Sequence, residues 1–272
     1  MRLRAASGNS YAISCQGRGQ PLLLLHGFTG DHSVWQGIAP ALGASHQLIM
    51  PDLPGHGRSD SPASAEAWRM FSVAADLISL LDALEIPQSH LLGYSMGGRL
   101  ALYLALRYPR RCISLTLESA APGIADDKAR MARQQSDNQL ADQIEARGIA
   151  WFVDYWQALP MWESQTQLTP RARLAQQKQR LRCHPAGLAG SLRGMGTGAQ
   201  PSLWEALPDL QLPTLLAVGA LDSKFRRINA TMAQAIPGAR LEIIRGAGHN
   251  MHLEKPRQFA GLLAAHLSAS SP

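Results

Sequence analysis

The sequence predicts an α/β protein built on a mostly parallel, doubly wound sheet with a helical insertion, and three observations carry that prediction. Short apolar runs alternate with segments of helical periodicity through the first half of the chain. The alternation lapses between Asp126 and about Leu207, where no convincing strand occurs. It then resumes to the C-terminus, as expected of one layered core interrupted once rather than two independent domains.

Each element follows from its pattern. "PLLLLHG", "HQLIMPD", "SHLLGYS" and "CISLTLES" are continuously apolar, the signature of strands covered on both faces. Between them, "AEAWRMFSVAADLISLLDALEI" and "MGGRLALYLALRYP" carry apolar residues at helical spacing, with Pro109 as a stop. The lapse is rich in Arg, Gln and Ala and reads as helical around "ADDKARMARQQSDNQLADQIEARGIAWFVDYW". "LPTLLAVGALD" and "ARLEIIRGAGH" restore the strand pattern, and "RQFAGLLAAHLSAS" closes with a helix. The expected division is a core over 1–122 and 208–272 and a helical cap over 123–207.

Composition narrows the class. A chain of 272 residues buries roughly three quarters of its unfolded surface, so the core needs no covalent staples. Cys15, Cys112 and Cys183 are odd in number and show no metal-ligand spacing, which predicts reduced thiols. The N-terminal stretch lacks the apolar run of a signal peptide and no segment approaches a membrane span, so a cytoplasmic protein without membrane contact is expected. Net charge is +6, with 22 arginines against four lysines. Arginine suits a bidentate grip on carboxylate or phosphate, which favours an anionic partner. No basic run with interleaved aromatics, helix-turn-helix signature or zinc finger points to nucleic acid. Nor is there a dinucleotide glycine fingerprint, a P-loop or an HExxH, so neither metal nor organic cofactor is expected.

"GYSMG", Gly93 to Gly97, fits the G-x-S-x-G elbow, in which a tight strand-to-helix turn lifts a serine hydroxyl above the sheet. The bare pentapeptide also arises as a chance glycine-rich turn. Here it follows an apolar strand and opens a helix, and Asp222 and His249 follow in the chain order this arrangement requires, each after a later strand. The expected division of labour is that Asp222 orients His249, His249 takes the Ser95 proton, and Ser95 acts as base or nucleophile. His252 is the rival histidine and is expected on the following helix. "LLLLHGFTGD" supplies a glycine-rich turn, so the amides of Phe28 and Met96 are the candidate oxyanion hole. His26 is expected to brace that loop and Asp52, in "PDLPGHGRSD", to be structural. Arg99 lies one helical turn beyond the serine; there an arginine either meets substrate or pairs with a nearby carboxylate.

Assembled, these motifs make the chain resemble the α/β-hydrolase superfamily along nearly its whole length. "GYSMGGR", "DLPGHGRS", "ESAAPG", "ARQQSD", "SLRGMGTGAQPSLW", "LDSKF" and "GAGHN" are similar, within it, to the MenH-like branch. Its members make 2-succinyl-6-hydroxy-2,4-cyclohexadiene-1-carboxylate in menaquinone and phylloquinone synthesis by eliminating pyruvate. The resemblance implies a lyase acting on a small polycarboxylate, with Ser95 as a base toward carbon. It further implies that Arg99, Arg133 and Arg180 bind substrate, with Arg182 a near rival of Arg180, and that Tyr94 and Lys224 border the pocket. Tyr155 and Trp156, from the aromatic stretch 151–162, are expected either to roof the pocket or to be plain cap core. Arg130, Arg147, Arg171, Arg173 and Arg193 are expected on solvated helix faces. A hydrolase of an ester or C–C bond in a small acidic substrate is the alternative, and a binding protein on the same scaffold a third. The pattern leaves oligomeric state open.

Overall fold

A computed structural model of the chain describes residues 1–270. Its strands are β1 (Arg2–Arg4), β2 (Ser10–Gln16), β3 (Gln20–Leu25), β4 (His46–Pro51), β5 (Ser89–Tyr94), β6 (Cys112–Glu118), β7 (Thr214–Gly219) and β8 (Arg240–Ile244). Its helices are α1 (Ala39–Leu42), α2 (Met70–Ala83), α3 (Met96–Arg107), α4 (Asp127–Gln157), α5 (Pro170–Leu181), α6 (Pro185–Met195), α7 (Ser223–Ala235), α8 (Met251–Glu254) and α9 (Pro256–Ala269). The strands form one sheet in the order β1-β2-β4-β3-β5-β6-β7-β8. From β4 to β8 every neighbouring pair is parallel. β2 is antiparallel to both β1 and β4, an edge that the sequence reading passed over. β1 has only three residues, two of them arginine, too short and too charged to show a strand pattern.

Alternation along each strand feeds two cores. Leu23, Leu25 and Leu91 point into one, filled by Val73 and Leu77 of α2 and Leu100 and Leu104 of α3. Leu22, Leu24 and Leu92 point into the other, against Leu42 of α1 and Phe259, Leu263 and Leu267 of α9. Residues 259, 263 and 267 repeat at i, i+4, so one stripe of α9 is buried. Burial on both faces is why the central strands read as unbroken apolar runs.

Among the described residues, everything regular between β6 and β7 is helical, and α4, α5 and α6 all fall within 123–207. Ala141, Ile144 and Phe152 of α4 pack on Leu188 and Leu192 of α6, and Phe28 of the core reaches into the same cluster. Gly148, at φ +80° and ψ 176°, kinks α4. These helices thus pack on Phe28, in the loop that leaves β3.

The elbow owes its shape to close packing. Ser95 sits at φ +49° and ψ −107°, a strained conformation for a residue with a Cβ. Two backbone bonds hold it: its N–H donates to Glu118 O at 2.9 Å, and its carbonyl accepts from Arg99 N at 3.0 Å. A Cβ on Gly97 would stand 2.0 Å from Leu25 O, and one on Gly93 would stand 2.4 Å from Gly97 O. These glycines let α3 start against β3 and β5. Gly97→Ala is expected to cost about 3 kcal/mol or more through overpacking and to lower Tm by on the order of 10 °C. Calorimetry checks this, and an unchanged Tm would show that the elbow has slack.

Candidate active site

The carboxyl ends of β3, β5, β7 and β8 share one edge of the sheet, and the loops leaving them bring Ser95, Asp222 and His249 together. Asp222 ends the turn after β7, where Oδ1 accepts from Phe225 N at 3.1 Å and caps α7. That bond leaves Oδ2 to accept from His249 Nδ1 at 2.7 Å. His249 Nε2 lies 3.0 Å from Ser95 Oγ. With Nδ1 committed as donor to the carboxylate, Nε2 is the acceptor for the serine hydroxyl. The imidazole is buried and packed among the rings of Phe225, Tyr94 and Trp162 at 4.6, 5.5 and 5.7 Å.

The loop bearing His249 is pinned at both sides. Gly248 N donates to Glu254 Oε2 at 2.6 Å. His252 lies on α8, as expected, and donates its backbone N–H and Nδ1 to the two oxygens of buried Glu118, at 2.9 and 2.7 Å. It thus ties the loop to β6, the strand from which the Ser95 amide also hangs. Sequence reasoning missed Glu118, because a glutamate closing an apolar strand gives no sign of a partner 134 residues away.

His26 and Asp52 act within the loops. His26 Nε2 accepts from Leu53 N at 2.9 Å, Nδ1 donates to Gly27 O at 2.8 Å, and burial pushes its pKa down. Burial raises the Asp52 carboxyl, but hydrogen bonds from His32 and from Arg58 N outweigh it and hold the pKa at about 2. Asp31, His32 and Asp52 bring ligand-type atoms within 4.8 Å of one another. These are spent on internal bonds, among them His32 Nδ1 to Asp52 Oδ1 at 2.8 Å, which leaves a poor metal seat.

Ser95 and His249 open into a cavity of about 250 Å³ beneath the cap. Phe28 and Met96 line it together with the serine. Met96 is the first residue of α3, so its N–H has no carbonyl to bond within the helix. Arg99, Arg133, Lys224, Tyr94 and Trp156 also line the cavity. Arg99 is 9% exposed, and Nη1 donates to Gln200 Oε1 at 3.0 Å. Burial, with help from Arg133, pushes its pKa down to about 10, so it stays a cation at neutral pH. Arg133 Nε donates to Asp137 Oδ1 at 2.7 Å.

Two expected contacts fall elsewhere. Tyr155 is exposed and does not line this cavity; it stacks on Trp151 at 5.5 Å, and Arg147 covers the same indole at 4.4 Å. Helical spacing after the Gly148 kink explains it: 151 and 155 share one face of α4, while Phe152 and Trp156 share the face turned to the Phe28 cluster. Trp156 meets Phe28 edge-on at 5.4 Å. Arg180 lies in a neighbouring cavity of about 540 Å³, which shares Phe28, Tyr94 and Trp162 with the first. Its buried guanidinium sits 5.0 Å over the Trp162 ring, and burial lowers its pKa to about 10. Arg182 is largely exposed, 3.5 Å from Asp31. Among the arginines expected on outer faces, Arg193 pairs with Asp142 and Glu145, Arg130 pairs with Asp127, and Arg171 and Arg173 are exposed.

Residues 20–256 match the family model described as alpha/beta hydrolase fold. The chain belongs to the α/β-hydrolase family. Within it, a 2-succinyl-6-hydroxy-2,4-cyclohexadiene-1-carboxylate synthase from Salmonella paratyphi C (strain RKS4594) is 34% identical over 250 residues, covering 90% of this chain and 94% of that protein. A Bacillus subtilis (strain 168) protein of the same family is 38% identical over 271 residues, covering 99% and 98%. The structure of MenH from S. aureus superposes with a TM-score of 0.91 at 33% identity over 96% of this chain and 98% of that one. This α/β-hydrolase is therefore a member of the MenH-like synthase branch.

Proposed function

We infer that the protein is the lyase of menaquinone and phylloquinone synthesis that eliminates pyruvate from 2-succinyl-5-enolpyruvoyl-6-hydroxy-3-cyclohexene-1-carboxylate, leaving 2-succinyl-6-hydroxy-2,4-cyclohexadiene-1-carboxylate. One observation carries the reading beyond family membership: the Ser95–His249 contact opens into the cavity that also holds the buried Arg99 cation. A base for carbon and a receptor for carboxylate share one small enclosure.

In this reaction His249 Nε2 accepts the Ser95 hydroxyl proton while Ser95 Oγ takes the proton from the ring carbon beside the succinyl carbonyl. Negative charge moves onto that carbonyl oxygen, where the amides of Phe28 and Met96 receive it. The charge then returns through the ring, the ring carbon–oxygen bond breaks, and enolpyruvate departs with the electron pair. The His249 imidazolium returns its proton on the leaving side, and the enol becomes pyruvate. Proton and electron pair balance without a cofactor. Arg99 and Arg133 hold substrate carboxylates; Tyr94, Lys224 and Trp156 shape the space around the ring. Arg180 adds positive potential from behind Tyr94 and Trp162. In this reading the substrate is the partner, and the cytoplasm is where the enzyme works.

The test supplies the enolpyruvoyl substrate and follows pyruvate with a lactate dehydrogenase couple. Triad-dependent pyruvate release is expected, and its absence overturns the reading. A covalent Ser95 adduct trapped during turnover would instead establish the hydrolase chemistry open to the same triad. Arg99→Ala is expected to reduce kcat/KM by roughly 10- to 150-fold, the worth of a charge-assisted hydrogen bond of about 1.5–3 kcal/mol. Unchanged kinetics would make Arg99 a structural residue.

A further inference from the structure

The triad cavity presents two guanidinium groups, and the fold treats their charges differently. Arg133 is answered by a carboxylate, since Asp137 Oδ1 takes its Nε. The other oxygen, Oδ2, accepts from Gly198 N at 3.1 Å, so Asp137 is spoken for on both sides. Arg99 is the more deeply buried of the two and is held by a neutral amide, Gln200 Oε1 at 3.0 Å. No described carboxylate lies within ion-pair distance of it.

Gln200 is itself fixed. It is fully buried, and Nε2 donates to Ala121 O at 3.4 Å, which sets the amide with oxygen toward Arg99. Its backbone N–H donates to Gly196 O at 3.0 Å. The loop carrying it is pressed on α4 so closely that a Cβ on Gly198 would stand 2.2 Å from Gln134 N. Glutamate at this position would satisfy Arg99 more strongly than glutamine does, because both partners would be charged. It would also cancel the charge of Arg99, a buried cation beside Ser95 that no described carboxylate pairs with directly and that Asp137 reaches only from beyond contact. Glutamine satisfies a donor and leaves the charge standing.

We propose that Gln200 is a positioning residue that sets specificity: its neutral amide fixes the Arg99 guanidinium toward the triad cavity without neutralising it, reserving that charge for a substrate carboxylate. This rests on the reading of Arg99 as a carboxylate receptor. Gln200 touches Arg99 rather than the reacting atoms, so its effect belongs in binding more than in chemistry.

The experiment compares Gln200→Glu, which keeps size and anchors Arg99 but cancels its charge, with Gln200→Met, which keeps the charge and removes the anchor. Calorimetry of succinate binding at low salt is run beside pyruvate-release kinetics, with Tm as a control for folding. Gln200→Glu is expected to raise both the KM and the succinate Kd about tenfold or more while kcat changes about threefold or less. Gln200→Met is expected to raise them less. Wild-type KM and Kd in Gln200→Glu would overturn the proposal, as would equal damage from both variants, the mark of lost packing alone. Should Gln200→Glu not fold, Gln200→Met with unaltered KM and Kd would overturn it. Wild-type protein that fails to bind succinate overturns it too. Succinate binding that depends on residue 200 in a protein that releases no pyruvate would sink the lyase reading and leave this one standing.

Discussion

Ser95→Ala is expected to abolish pyruvate release almost entirely, lowering kcat by about 10⁴-fold or more, while Tm moves by only a few degrees. The hydroxyl is the atom that His249 Nε2 faces at 3.0 Å, and among the described side chains it is the base candidate beside the Phe28 and Met96 amides. A positioned general base supplies about 10²–10⁴ by itself. Its removal also strands the imidazole, whose Nε2 loses its partner, so the His249 that Asp222 orients has nothing to act on. Stability is spared because the strained elbow is held by backbone bonds from Ser95 to Glu118 and Arg99, which alanine retains. Stopped assays coupled to lactate dehydrogenase, with a melting curve on the same sample, check both halves. Retained turnover would remove Ser95 from the mechanism. A collapsed Tm would make the hydroxyl a structural bond instead.

What could be read from the sequence follows physical range. The parallel strands were legible because burial on both faces writes itself as an apolar run, as in residues 20–25. The hydrogen-bonded set of Ser95, His249 and Asp222 was legible because each member is tied to a local feature: Ser95 to the flanking glycines of a strand-to-helix turn, Asp222 and His249 to the ends of later strands. The antiparallel edge was not, since β1 is three residues long and its pairing rests on backbone bonds to β2 rather than on side-chain pattern. Tyr155 and Trp156 show the limit within a helix. Both lie in one aromatic stretch, and which of two neighbours faces the cavity depends on the phase of α4, set by its packing on α6 and altered at the Gly148 kink. Arg180 shows the limit between elements. Its burial over Trp162 on the far side of the cavity wall is a matter of how α5 docks, through Gln179 Nε2 to Thr29 O at 2.6 Å. Gln200 and Glu118 fall inside the motifs "SLRGMGTGAQPSLW" and "ESAAPG" that carry the resemblance, yet neither showed its role, because an amide or carboxylate that serves a partner more than 100 residues away looks like any other polar residue.

The second large effect is expected from Asp222→Asn, and the structure makes it an unusually clean substitution. Asp222 does two jobs with two oxygens: Oδ1 caps α7 through Phe225 N, and Oδ2 accepts from His249 Nδ1. Asparagine is as good an N-cap as aspartate, so the amide oxygen is expected to keep the cap and the fold. The amide nitrogen must then face Nδ1, and it can only donate. Nδ1 becomes an acceptor, the imidazole proton shifts to Nε2, and the ring presents an N–H to Ser95 Oγ where it had presented a lone pair. The wrong tautomer in an intact site lowers kcat by about 10⁴-fold. Asp222→Ala loses the cap as well, at about 1 kcal/mol of additional stability. The two variants therefore separate by Tm, while both lose activity. Nitrogen-15 spectra of the histidines report the tautomer directly, with the protonated nitrogen expected to move from Nδ1 to Nε2 in Asp222→Asn. A kcat within tenfold of wild type would mean that the rings of Phe225, Tyr94 and Trp162 suffice to orient His249, and that Asp222 serves α7 rather than the proton.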